Sequence, residues 1–159
     1  MKIPVFKFLI LVLFAFSLNS YSQNVKLLNI DQLNERIKQG KDSTYVVNFW
    51  ATWCAPCIKE LPHFEKLNAE YKGEKLAVLL VSVDFKSKLK SAVIPFVKRK
   101  NIKSEVFLLN ESSPQEYIDR IDKSWSGSIP ATLFIKGDKR TFIESEFTYE
   151  QLLTEYKKL

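Results

Sequence analysis

Thr44-Tyr45-Val46-Val47-Asn48-Phe49-Trp50-Ala51-Thr52-Trp53-Cys54-Ala55-Pro56-Cys57 is the stretch that decides how this chain folds. Residues 44–50 are rich in β-branched and aromatic side chains and read as a buried strand. From Ile58 to Tyr71 the apolar residues recur at helical spacing. The two cysteines, the only ones in the chain, therefore fall at a strand-to-helix junction, with Cys54 at the helix N-terminus. Unpaired N–H groups and the positive end of the helix dipole stabilise an anion there, and a thiolate is an anion. The thiolate is the nucleophile of thiol–disulfide exchange, so the junction makes Cys54 reactive. Cys57 lies one turn further on, within reach of a mixed disulfide made by Cys54.

Three other readings of the pair carry less. A structural staple would close a loop of a few residues and gain little entropy. Half of a zinc site would need more Cys or His ligands, and the chain has one histidine, His63. A pair of inert buried thiols fits poorly with Trp50, Trp53 and Pro56, which are expected to form an apolar surface around a helix start. A C-x-x-C near a βαβ pattern reads as thioredoxin-like.

The N-terminus carries a second signal. Lys2 and Lys7 make a basic start, Phe8 to Leu18 is apolar apart from Ser17, and Ser20-x-Ser22 places small residues before a cut after Ser22. The apolar run is about eleven residues, short of the roughly 20 that span a bilayer. The expected organisation is a signal peptide over 1–22 and one domain over 23–159, in the periplasm or another extracytoplasmic compartment. The alternative is an uncleaved N-terminal membrane anchor. Export agrees with a mature chain whose only cysteines are one close pair, since disulfides persist outside the reducing cytosol.

The about 137 residues that remain support one domain with a hydrophobic core. The net charge is +6. The lysines are spread among glutamates, and the clusters at 86–90 and 98–103 read as solvated faces and loops. A nucleic-acid partner would call for a basic stripe with interleaved aromatics, which is not seen. No metal or cofactor is called for.

Along the chain, a helix is expected over Asp31–Gln39, capped by Asp31 and ended by Gly40. Strand A covers Ser43–Phe49, and the cysteine-bearing helix covers Cys54–Tyr71 with a kink at Pro62. Strand B, Leu76–Val83, is apolar enough to be buried on both faces. A helix over Lys88–Lys100 turns Val93, Phe96 and Val97 inward, and strand C is Glu105–Leu109. Ser113-Pro114-Gln115-Glu116 reads as a capping box opening a helix to Ile121. Strands D (Ala131–Lys136) and E (Arg140–Glu146) flank a tight turn at Gly137-Asp138. Thr148 caps a last helix. Right-handed crossovers make A, B and C parallel, giving an α/β fold with a mixed sheet covered by helices on both faces. Its crevice is expected at the carboxyl ends of the parallel strands, where Cys54 sits.

Asn48 to Pro62, Asn-Phe-Trp-Ala-Thr-Trp-Cys-Ala-Pro-Cys-Ile-Lys-Glu-Leu-Pro, resembles the active-site segment of the TlpA/ResA-like thioredoxins, exported or membrane-anchored thiol–disulfide oxidoreductases of bacteria. Gly127-Ser128-Ile129-Pro130-Ala131-Thr132-Leu133-Phe134 resembles that family's cis-proline loop and following strand. The helix and strand between B and D resemble its characteristic insertion. The resemblance covers about residues 28–159 and implies a thioredoxin fold with sheet order C-B-A-D-E.

It also implies roles. Cys54 is the attacking thiol and Cys57 the resolving one. Pro130 is a cis-proline facing the disulfide, and Ile129 offers backbone hydrogen bonds to an extended substrate, with Trp53 and Pro56 beside them. An ordinary trans proline is the alternative at 130. Glu60 matches an acidic residue that could take or relay the Cys57 proton; its alternative is a surface carboxylate of the first helical turns. Thioredoxins carry an Asp where this chain has Asn48, a replacement common in the TlpA/ResA group, so proton transfer falls to Glu60, water or the partner. His63 reads as a solvated helix residue.

The implied activity is disulfide reduction on exported protein substrates, recycled by a membrane thiol donor. A disulfide oxidase or isomerase on the same fold is the alternative enzyme, and a redox-linked binder of cysteine-containing apoproteins the alternative of another class. A peroxidase of the related peroxiredoxin type would need Pro-x-x-x-Thr-x-x-Cys, which is absent.

Overall fold

The computed structural model describes residues 24–40 and 42–159. The expected cut after Ser22 lies outside these residues. Among the described residues, no helix is long and apolar enough to cross a membrane.

The elements run β1 (Lys26–Leu28), α1 (Ile30–Lys38), β2 (Thr44–Trp50), α2 (Ala55–Glu70), β3 (Leu76–Ser82), α3 (Ile94–Arg99), β4 (Glu105–Leu109), α4 (Ile118–Ile121), β5 (Ala131–Lys136), β6 (Lys139–Ile143) and α5 (Tyr149–Lys157). They build one six-stranded sheet of order β1-β4-β3-β2-β5-β6. β1, β4, β3 and β2 are parallel, and β5 pairs antiparallel with β2 and β6. This is the expected order C-B-A-D-E with one strand added at the edge. β1 has three residues and pairs with β4, a partner some eighty positions away, so no local pattern announces it.

Strand alternation sorts the core into two layers. Val46 and Trp50 of β2 pack with Leu61, Phe64 and Leu67 of α2, Phe96 and Val97 of α3, and Leu152 of α5. Tyr45, Val47 and Phe49 point the other way, toward Leu33 of α1, Ile121 of α4 and Trp125. Asn48 shares its face with Val46 and Trp50, so it is a polar side chain aimed at α2.

Four local expectations are corrected. The cap of α1 is Asn29, not Asp31: Asn29 Oδ1 accepts from Gln32 N at 2.8 Å, and Asn29 N donates to Gln32 Oε1 at 2.9 Å, a reciprocal box set by the spacing of three. The helix expected over 88–100 is instead a 3₁₀ turn at Lys86–Lys88, a π turn at Leu89–Val93, then α3. Pro95 accounts for the break before α3, because it has no N–H and its ring clashes with the carbonyl four residues back. Ser113 makes no side-chain cap bond; Pro114–Glu116 is a 3₁₀ turn closed by Glu116 N donating to Ser113 O. Strand E stops at Ile143 rather than Glu146. α2, by contrast, runs through Pro62 as one element.

Candidate active site

β2 ends at Trp50, and the chain turns through Ala51, Thr52 and Trp53 before α2 begins. Cys54 closes that turn, its N donating to Ala51 O at 3.1 Å, and serves as the N-cap of α2 with its Sγ accepting from Cys57 N at 3.3 Å. Pro56, in the first turn, gives up an N–H that the helix start cannot use. Cys54 and Cys57 are joined as a disulfide, Cα atoms 5.3 Å apart. Both cysteines are buried, with Cys54 keeping 5% of its surface exposed and Cys57 none, so the residue at the helix cap is the more accessible of the two.

The turn is pinned from β3. The Asp84 carboxylate accepts from Thr52 N at 2.8 Å, Thr52 Oγ1 at 2.7 Å and Ser82 Oγ at 2.8 Å. Thr52 and Asp84 were not singled out in the sequence. The signal available was Ser82 closing an otherwise apolar strand and Asp84 two positions on, at the end of the sheet where the cysteines lie.

A second loop closes over the disulfide. The Ile129–Pro130 peptide is cis, as the resemblance implied. The Ile129 carbonyl oxygen lies 3.8 Å from Cys54 Sγ. Trp125 Nε1 donates to Ser128 O at 2.8 Å. The Trp125 ring is held among Phe49, Phe142 and Tyr117 at 5.0, 5.6 and 5.7 Å. Gly127 is left-handed at φ +94°, a backbone that strains any other residue, and a Cβ there would also push against the Ile118 Cδ1 at 2.9 Å. Trp125 too escaped the sequence reading, because a lone tryptophan between polar residues does not show that it buttresses a loop.

Beneath the cysteines, Glu60 is wholly buried rather than a surface carboxylate. Its Oε1 accepts from Asn48 Nδ2 at 2.7 Å and its Oε2 from Phe147 N at 2.8 Å. Asn48 Nδ2 also donates to Thr132 Oγ1 at 3.1 Å, and Thr132 is Asn48's register partner on β5. Burial pushes the Glu60 carboxyl up to about 7, against the lowering effect of the Phe147 and Asn48 hydrogen bonds; Glu146 adds to the rise. Helical spacing of three places Glu60 on the Cys57 side of α2.

Trp53 is 67% exposed, Pro56 is exposed and Ile129 is half-buried, and all three adjoin the disulfide or the cis-proline loop in the chain. Trp50 is corrected: it is fully buried against Phe96, ring centroids 5.1 Å apart, and forms none of the surface around the helix start. His63, half-buried, stands 6.5 Å from the Tyr149 ring. Among the described residues, no three His, Cys, Asp or Glu side chains gather as a metal site would require.

A disulfide at the N-cap of a helix, facing a cis-proline loop across the carboxyl ends of a mixed sheet, defines a thioredoxin-fold dithiol protein. The chain belongs to the AhpC/TSA family, whose model matches residues 16–141. It is similar to the thiol-disulfide oxidoreductase ResA of Bacillus cereus, 28% identical over 132 residues, covering 81% of this chain and 70% of that one. Shorter matches link it to ResA of Oceanobacillus iheyensis, 38% identical over 55 residues, and to the thioredoxin-like protein YneN of Bacillus subtilis, 49% identical over 55 residues. Each covers 35% of this chain, and 29% and 31% of those two proteins respectively. Among solved structures, a thiol:disulfide interchange protein of Chlorobium tepidum superposes with a TM-score of 0.62 at 20% identity, over 76% of this chain and 82% of that one. StoA of Bacillus subtilis does so with a TM-score of 0.58 at 21% identity, over 76% and 86%. These likenesses establish the thioredoxin fold.

Proposed function

We propose that the chain is a thiol–disulfide oxidoreductase working as a reductase of exported protein disulfides. The observation that carries this reading is the Cys54–Cys57 disulfide at the start of α2, with Cys54 the less buried of the pair. In the reduced protein the Cys54 thiolate attacks a substrate disulfide. That S–S bond breaks, one substrate sulfur leaves as a thiolate, and a mixed disulfide remains on Cys54. The Cys57 thiolate then attacks Cys54 Sγ and releases the second substrate sulfur. Two electrons pass to the substrate, its two thiolates take up protons, and the Cys54–Cys57 disulfide is left behind. A membrane-borne dithiol donor restores the pair by the reverse exchange.

Role by role, the cap geometry supports Cys54 as nucleophile, since Cys57 N already points at its sulfur. The Ile129 carbonyl near Cys54 Sγ supports Ile129 and Pro130 as the edge along which an extended substrate lies, with Trp53 and Pro56 at its sides. Burial and a carboxyl near 7 support Glu60 as the group that exchanges a proton with Cys57. The basic, apolar start and Ser20-x-Ser22 support export with a cut after Ser22; a mature protein beginning at Gln23, read by mass spectrometry, checks it. A peroxidase reading gains no support, for residues three and seven before Cys54 are Ala51 and Val47 where Thr and Pro are needed.

Reduction of insulin by dithiothreitol, followed by turbidity, tests the activity. Acceleration is expected, and its absence favours the binding-module reading. The reduction potential of the Cys54–Cys57 couple tests direction: a value nearer roughly −270 than −120 mV is expected of a reductase.

A further inference from the structure

Phe85 and Trp53 are 79% and 67% exposed, the most exposed of the large hydrophobic side chains among the described residues. Single exposed aromatics are ordinary. These two are not independent, because each directly follows one half of a partly buried clamp. Asp84, 3% exposed, takes both the N–H and the hydroxyl of Thr52. Just before the clamp, β2 and β3 are in register at Trp50 and Ser82, and Val83 N donates to Trp50 O at 2.8 Å. The backbones that carry Trp53 and Phe85 are thus locked to each other and to the sheet. A rigid base is what a binding surface needs and what a chance exposure lacks.

We propose that Trp53 and Phe85 form the specificity surface of the site. It takes the apolar side chain that neighbours the reacting cysteine in a protein disulfide, and it favours acidic residues next to that side chain. The occupant follows from position and charge. Trp53 immediately precedes Cys54, so a polypeptide whose sulfur reaches Cys54 Sγ lays its adjoining residues on this surface. Beyond Phe85 come Lys86, Lys88 and Lys90, all exposed, and none is in an ion pair among the described residues. An acidic segment meets them with long-range attraction as well as contact. The partner is therefore a cysteine-containing polypeptide, apolar beside its cysteine and acidic further out. The inference rests on the oxidoreductase reading and deepens it.

The test uses the full chain and short peptides, each with one cysteine in a fluorogenic disulfide. The residue beside the cysteine is Leu or Ser, and two further positions are Asp or Lys. For the wild type, kcat/KM is expected to favour Leu over Ser by about tenfold, the scale of partly burying one such side chain. Phe85→Ser is expected to cut that ratio to about threefold, mainly through KM, and Phe85→Leu to restore most of it. Lys86→Glu with Lys88→Glu is expected to reverse the preference for Asp over Lys, with the reversal shrinking at high salt. Phe85 is solvent-facing, so the variants keep the fold. A wild type that exchanges all peptides at equal rates, or a Leu-to-Ser ratio unchanged by Phe85→Ser, overturns this proposal and leaves the oxidoreductase standing. A wild type that exchanges with no peptide overturns the oxidoreductase reading and this one with it.

Discussion

Asn48 and Glu60 form a hydrogen bond of 2.7 Å, Nδ2 to Oε1, between a central strand and the helix that carries the cysteines, and neither residue has any exposed surface. An ionised carboxylate is costly in such a place unless donors surround it. Two donors are supplied, from Asn48 and from the Phe147 backbone, and they do not fully offset the loss of water. The carboxyl therefore sits near 7, where it gains and loses a proton under ordinary conditions.

The first prediction concerns stability. Folding raises the Glu60 carboxyl from its ordinary 4.5 to about 7. The folded state thus binds the proton more tightly, and this stabilisation is complete below about 4.5 and lost as pH rises through 7. The change across that window is roughly 3 kcal/mol. Glu60→Gln cannot ionise, so the part of the pH dependence that comes from this site should vanish. Urea unfolding at pH 5 and pH 8 checks it: the wild type should weaken at pH 8 by more than the variant does.

The same substitution probes chemistry. A negative Glu60 on the Cys57 side of α2 disfavours a second anion on that sulfur, and a shared proton couples the two titrations. Glu60→Gln is expected to slow disulfide reduction and to remove an inflection near pH 7 from its rate profile. Rates from about pH 5 to 9 for both proteins read this out. Superimposable profiles would mean that the proton leaves by water or by the partner.

Asn48 supplies an independent handle. Its Nδ2 bond lowers the Glu60 carboxyl, so Asn48→Leu should move the midpoint of the profile upward. Thr132 Oγ1 also loses its donor, and the combined cost should be about 1–3 kcal/mol. The midpoint is the diagnostic reading, since a purely structural role for Asn48 would lower stability and leave it in place.

How far these features could be read from the sequence follows from the range of the forces behind them. Cys54, Cys57 and the strand before them are legible because a helix cap, a C-x-x-C spacing and an apolar strand are written within a dozen residues. The cis peptide at Pro130 was legible only through the likeness of Gly127–Phe134 to a known loop. Glu60 was ambiguous, because nothing in Cys57-Ile58-Lys59-Glu60 says that Phe147, 87 positions on, folds over it. The Asp84–Thr52 clamp and the Trp125 brace join residues whose partnership exists only once β3 lies on β2 and the loop lies on the sheet. The helix expected over 88–100 failed for the opposite reason: Pro95 is visible, and its local effect outweighed an apolar periodicity that favoured one regular element.

The assignment of attacker and resolver is testable by trapping. With Cys57→Ser, the mixed disulfide on Cys54 has no internal attacker and should accumulate, giving an adduct on non-reducing gels that dithiothreitol removes. Cys54→Ser should give few adducts, because Cys57 has no exposed surface. Adducts that accumulate on the Cys54→Ser protein instead would reverse the order of attack.

The last prediction separates the frame of the site from its chemistry. Asp84 accepts three hydrogen bonds, from Thr52 N, Thr52 Oγ1 and Ser82 Oγ, and touches neither cysteine by any of them. Asp84→Ala leaves the buried Ser82 hydroxyl and the part-buried Thr52 donors without this partner, and a buried donor left unpaired costs about 1–3 kcal/mol before relaxation. A net loss of about 2–4 kcal/mol in urea unfolding is expected, because the exposed turn can rehydrate part of what is lost. Asp84→Asn keeps the shape but turns an amide N–H₂ toward one set of donors, so its loss should be smaller. Both variants free the turn that carries Trp53 and Cys54. Their kcat/KM with protein disulfides should fall further than with a small disulfide that needs only the sulfur. If the two substrates fall by the same factor, Asp84 serves the fold alone, and the positioning of Trp53 owes nothing to it.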